Sequence, residues 1–154
     1  HDNRRMATDW ARANLPAGSS VLVEHFAFDL ADTDLRVLFP IGLGGCFDAR
    51  ALLAGRIDYR QVDSLRGGRS NLDFGAVPQA KAGTCRADYV ILTEHARYAA
   101  ERELYPVEFA RYRDLIGSAE VIARFPAVPG HVGGRPEVVI LRTGPVGANV
   151  PTGG

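Results

Sequence analysis

Residues 88–93, Asp-Tyr-Val-Ile-Leu-Thr, decide how the rest of the chain is organised. A short apolar run between polar ends, rich in β-branched and aromatic residues, predicts a buried strand. Downstream, Ala96 to Leu104 has helical character. Pro106 then suits the first position of a second helix, which carries Val107, Phe109, Ala110, Tyr112, Leu115 and Ile116 and stops at Gly117. Val121–Phe125 and Val138–Leu141 come next as two strands. The Pro/Gly-rich connection from Pro126 to Pro136 predicts that they turn back as an antiparallel hairpin.

Upstream, Val21-Leu22-Val23-Glu24-His25-Phe26 predicts the first strand. A helix precedes it. Asp2 suits the N-cap, and Met6, Trp10 and Ala13, with Ala7 and Leu15 beside them, form one apolar stripe. Pro16 and Gly18 stop that helix. In the middle, Arg36–Phe39 closed by Pro40 suggests a strand, and Asp48 suits the cap of a two-turn helix over Ala49–Ala54 ended by Gly55. Ile57–Leu65 alternates loosely and predicts a further strand, whereas 66–86 reads as loop. Gly42-Leu-Gly-Gly-Cys46 lacks the last glycine of a nucleotide-binding loop and is expected to be a turn. The order of elements predicts a single-domain α/β sandwich over residues 1–143, with a mixed, partly parallel sheet flanked by helices and an antiparallel C-terminal hairpin. Residues 144–154 are expected to form a loose Gly/Pro-rich tail.

Composition narrows the function classes. The 154 residues carry 18 basic and 18 acidic side chains, so no electrostatic footprint for nucleic acid is present. No apolar run approaches the roughly 18–20 residues of a membrane helix. Neither Cys46 nor Cys85 sits in a C-x-x-C motif. They are expected either to be bridged, in an oxidising compartment, or to be buried thiols. No nucleophile elbow occurs, and His131 lies among glycines and prolines as an exposed loop residue.

Two expected strands both end in Glu-His: Glu24-His25 and Glu94-His95. If those strands are parallel neighbours, the four side chains lie at their carboxyl ends, where open α/β sheets bind ligands. Two imidazoles and two carboxylates suit a divalent ion or acid–base chemistry. Against this, successive strand residues point to opposite faces, so at most one member of each pair would share a site. Arg97 and Tyr98, with Tyr105 and Tyr112, suit a groove for a sugar. Their seven-residue spacing equally fits one helix face packed on the sheet, with the hydroxyls reaching the surface. The candidate ligand site is therefore Glu24, His25, Glu94, His95, Arg97 and Tyr98. No catalytic residue, metal ligand or cofactor is assigned.

Several segments together resemble a known pattern. Asp2-Asn3-Arg4, Asp9-Trp10, Asn14-Leu15-Pro16-Ala17-Gly18-Ser19 and Val21-Leu22-Val23-Glu24 are similar to D-x-R…W-x-x-x-N-x-P-x-G-S followed by an apolar strand ending in Glu. Tyr89-Val90-Ile91-Leu92-Thr93, Arg97-Tyr98, Tyr105-Pro106, Phe109, Tyr112 and Leu115 are similar to Y-V-V-x-S…D-R-Y…Y-P…F-Y-x-x-L. Both patterns resemble those found after the last membrane span in bacterial glycosyltransferases related to the dolichyl-phosphate-mannose–protein mannosyltransferases. The likeness covers residues 2–24, 88–125 and 136–142. Residues 27–86 fall outside it, and the family's Y-D-R-Y is reduced here to Arg97-Tyr98 behind Glu94-His95. The resemblance implies a soluble domain on the extracytoplasmic (periplasmic) face of the cytoplasmic membrane. Its parent would move sugar from a polyprenyl-phosphate donor, and its partners would be the membrane-embedded remainder of that enzyme and a lipid-linked sugar or a glycan or protein acceptor. The family's catalytic acid lies between membrane helices, so no catalytic residue is carried onto this chain.

Overall fold

The computed structural model describes residues 2–65, 73–128 and 136–143. The expected tail over 144–154, His131 and most of the connection from Pro126 to Pro136 lie outside the described residues. The elements run α1 (Asn3–Asn14), β1 (Ser20–Val23), β2 (Arg36–Pro40), β3 (Cys46–Asp48), α2 (Ala49–Leu53), α3 (Tyr59–Leu65), β4 (Tyr89–Leu92), α4 (His95–Ala100), α5 (Pro106–Gly117), β5 (Glu120–Phe125) and β6 (Val138–Arg142). Short 3-10 turns occupy Ala27–Leu30, Gly42–Gly44, Phe74–Ala76 and Gln79–Cys85. The class is α/β with a mixed sheet, as the order of elements predicts.

The six strands form one sheet in the order β3-β2-β1-β4-β6-β5. β1 is parallel to both neighbours, with Leu22 opposite Leu38 on β2 and Val90 on β4. β3 adds antiparallel at one edge, and β6 and β5 add antiparallel at the other. The inner strands β1, β2, β4 and β6 are mainly apolar and buried, because both faces of the sheet are covered there, whereas the edge strand β5 carries Glu120 and Arg124. Val21, Val23, Val37, Phe39, Ile91 and Ile140 share one core with Ala7 and Ala11 of α1 and Ala49 of α2. Leu22, Leu38, Val90, Leu92, Val139 and Leu141 share the other with Tyr98 of α4 and Tyr112 of α5. This division is the period-two alternation of the strands made visible.

Local chemistry explains the element ends. Asp2 caps α1 by accepting the Arg4 N–H at 2.9 Å, and the Asp48 carboxylate accepts the Arg50 N–H at 2.8 Å and the Ala51 N–H at 3.2 Å to start α2. Pro106 begins α5 at a position that needs no N–H donor. The buried stripe of α1 is Asn3, Ala7, Thr8 and Ala11 rather than Met6, Trp10 and Ala13; Trp10 packs against the core only partly and Ala13 is exposed. Small residues let the helix lie close to the sheet. Asn3 locks it there, its Nδ2 donating to the carbonyls of Phe125, Pro126 and Pro136.

Three expectations are corrected. Ile57–Leu65 is not a strand: residues 59–65 form α3, which Asp58 starts by accepting the Arg60 N–H at 2.9 Å. β1 ends at Val23, and Phe26 enters the core ahead of a 3-10 turn instead of extending the strand. The described part of the expected loop, 73–85, is two 3-10 turns closed onto the sheet by a Cys46–Cys85 disulfide. At that closure Gly45 has φ 82°, and a Cβ there would overlap the Thr84 hydroxyl, which itself accepts the Cys46 N–H.

Candidate functional site

The chain leaves β1 for β2 on one side and later returns to β4 on the other, so the carboxyl ends of β1 and β4 flank the switch point of the sheet. Both Glu-His pairs stand there. Glu24 has no exposed surface. Its Oε1 accepts the N–H groups of Thr93 at 2.9 Å and Glu94 at 3.1 Å, and its Oε2 accepts the Phe74 N–H at 2.8 Å and the Tyr112 hydroxyl at 2.5 Å. Burial pushes the Glu24 carboxyl above its ordinary value, against the pull of these four donors.

Simple alternation would turn His25 to the opposite face from Glu24. It does not, because His25 has φ 65°, a left-handed conformation rare outside glycine. That backbone swings the imidazole to Asp73, with Nε2 at 2.9 Å from Oδ1, and to within 3.7 Å of Glu94 Oε2. Left-handed non-glycine residues gather at functional sites, where surrounding structure over-determines them.

Asp73 is the hub, and it is 1% exposed. Its Oδ2 accepts the Tyr98 hydroxyl at 2.6 Å and Arg97 Nη2 at 2.7 Å. Burial raises the Asp73 carboxyl, but His25, Tyr98 and Arg97 outweigh it and hold the group below its ordinary value. Burial depresses His25, yet the Asp73 bond and the Glu94 and Glu24 charges carry it above its ordinary value. Arg97 Nε also donates to Glu94 Oε1 at 2.9 Å, and the guanidinium lies 4.4 Å from the Tyr98 ring centroid.

The structure thus brings together Glu24, His25, Glu94, Arg97 and Tyr98, and adds Asp73. It does not bring in His95. β4 has ended at Leu92 and His95 opens α4; its Nε2 lies 2.9 Å from Glu137 Oε1, and the other Glu137 oxygen accepts Arg124 Nη1 at 2.8 Å. The tyrosines also differ from the single helix face. Tyr98 belongs to α4 and Tyr112 to α5, their rings stacked 5.3 Å apart, and both hydroxyls turn inward to buried carboxylates instead of reaching the surface. Burial is the first cause that pushes both phenols up. No local signal in the sequence marks Asp73, which lies beyond any periodic segment; only the fold places it here.

Compared with protein-family models, curated proteins and solved structures, the chain matches none. The chemistry of the cluster itself defines what it can do. It is a side-chain cluster at the carboxyl ends of β1 and β4, built on the buried, fully engaged carboxylates of Glu24 and Asp73 and bordered by the partly exposed His25, Glu94 and Arg97.

Proposed function

We propose that this chain is an extracytoplasmic accessory domain of a membrane glycosyltransferase using polyprenyl-phosphate sugar donors. In this reading it positions donor or acceptor, or braces the parent enzyme, and does not hold the catalytic centre. One observation carries the proposal. Glu24, Arg97, Tyr98 and Tyr112, four of the residues through which distant segments resemble that family's pattern, meet in one hydrogen-bonded network around Asp73 and the end of β1. A pattern whose scattered polar positions serve one constellation is more specific than the same motifs taken separately.

The Cys46–Cys85 bond supports the compartment, since disulfides persist in oxidising surroundings. Among the described residues no helix is long and apolar enough to cross a membrane, so in this reading the spans belong to the remainder of the parent. Glu24 and Asp73 suit bracing better than catalysis, because every carboxylate oxygen of the pair already has a partner. Immunoblotting of fractionated native cells tests the proposal. The expected result is a band in the membrane fraction far above 16.6 kDa. A soluble band at that mass would overturn it.

A second reading is favoured by the His25–Asp73 pair, an imidazole oriented by a buried carboxylate at the strand ends where open α/β sheets commonly take ligands. It makes the chain a self-contained site for a carbohydrate or other small molecule, with His25 as general base. A glycan that raises the melting temperature of the wild type but not of His25→Ala would favour it, and a flat response across a broad panel would remove it.

A further inference from the structure

We propose that His25, Asp73 and Glu94 bind one divalent transition-metal ion at the carboxyl ends of β1 and β4. The inference does not depend on the glycosyltransferase reading. One ligand atom from each of His25, Asp73 and Glu94 lies within 4.8 Å of the other two. His25 Nε2 is 2.9 Å from Asp73 Oδ1 and 3.7 Å from Glu94 Oε2. Around an ion held at about 2.0–2.2 Å, adjacent ligand atoms stand roughly 3–3.6 Å apart, so small rotations of Glu94 close the set.

The remaining bonds are those of ligands oriented from behind. The other oxygen of Asp73 is held by Arg97 and Tyr98, and the other oxygen of Glu94 by Arg97 Nε. The oxygens left facing His25 are Asp73 Oδ1, whose one partner among the described residues is that ring, and Glu94 Oε2, which accepts a 3.4 Å bond from the Thr93 hydroxyl and lies 3.7 Å from the ring nitrogen. Such outer bonds fix ligand direction in metal sites. The left-handed backbone at His25 aims its ring at the same point.

Charge favours a cation as well. Glu24, Asp73 and Glu94 bring three carboxylates together, and among the described residues Arg97 is the one permanent cation bonded to them. One nitrogen and two oxygens suit Zn²⁺, Mn²⁺ or Co²⁺ rather than thiophilic ions, and both cysteines are committed to the disulfide. Three protein ligands leave at least one coordination position for an oxygen ligand such as a hydroxyl or a phosphate.

The test uses untagged, oxidised protein stripped with a chelator and titrated with Zn²⁺, Mn²⁺ and Co²⁺ by calorimetry and elemental analysis. The expected result is about one equivalent of at least one ion, lost in His25→Ala and in Glu94→Gln and retained in His95→Ala. Circular dichroism checks that each variant is folded. Should His25→Ala fail to fold, His25→Gln and Glu94→Gln take its place, and the Co²⁺ absorption spectrum of the wild type reads the nitrogen–oxygen ligand set directly. Absence of stoichiometric binding of all three ions, or binding unchanged in the folded His25 and Glu94 variants, overturns the proposal.

Discussion

The Tyr112 hydroxyl donates to Glu24 Oε2 at 2.5 Å across 88 residues of chain, tying α5 to the end of the central strand. The same hydroxyl oxygen accepts the Gly75 N–H at 3.1 Å. Tyr112→Phe keeps the ring stacked on Tyr98 but strips a donor from a buried carboxylate and a partner from a buried amide. The expected loss is about 1–3 kcal/mol, read from the urea midpoint at unchanged m-value. A change below about 0.5 kcal/mol, the size of an ordinary surface substitution, would show that the bond contributes no net stability.

Gly75 is where this network is tightest. A Cβ there would meet Tyr112 Cε2 at 2.6 Å and Glu108 Cβ at 3.1 Å. Gly75→Ala must push a buried ring off its partner and is expected to cost about 1–3 kcal/mol. Combining it with Tyr112→Ala, which removes the obstructing ring, should make the two effects markedly non-additive. Strict additivity in the double-mutant cycle would mean that the alanine strains something else.

The Cys46–Cys85 bond links residues separated by 39 positions. Replacing both cysteines by serine is expected to remove roughly 3–4 kcal/mol in the chain-entropy picture. Thiol titration of the unreduced, denatured protein should find no free sulfhydryl. Two titratable thiols would contradict the pairing and with it the support for an oxidising compartment.

Acid sensitivity is expected at Glu137, which precedes β6 beside the carboxyl end of β4. Burial raises the Glu137 carboxyl, but bonds from His95 and Arg124 prevail and hold it below its ordinary 4.5. A depressed carboxyl contributes stability that is complete above the unfolded value and is lost as pH falls through the folded one. Arg124→Gln should therefore narrow the gap to wild type as pH drops below about 4.5. Urea midpoints across the acid range check this; a constant difference between the two proteins would exclude Glu137 as the titrating group.

β1, β2, β4, β5 and β6 and the two long helices were legible because their signals are local. Residues 89–92 are apolar and rich in β-branched and aromatic side chains, Asp48 caps the helix that begins at Ala49, and Pro106 sits at the first position of a helix, which needs no N–H donor. Ile57–Leu65 misled because a short stretch can satisfy a loose alternation while Asp58 caps a helix. β3 escaped notice because three residues carry no period. The site was half legible. The Glu-His pairs could be located at strand ends, but alternation alone separates Glu24 from His25, and the left-handed backbone that reunites them leaves no mark in the sequence. Asp73 depends on a non-local closure that no window of sequence contains.

The sheet order also bears on how fast the chain reaches this structure. Leu22 pairs with nearby Leu38 but also with distant Val90, so the central strand is complete only after β3, α2, α3 and the 3-10 turns have been traversed. Long-range parallel pairing of this kind is slow, because chain entropy is lost before contacts compensate. The cysteine crosslink pins together two points of that excursion ahead of time, shortening the search that brings β4 beside β1. The oxidised chain is therefore expected to refold faster than the reduced one, so the compartment that sets the thiol state also sets how long β4 waits for β1.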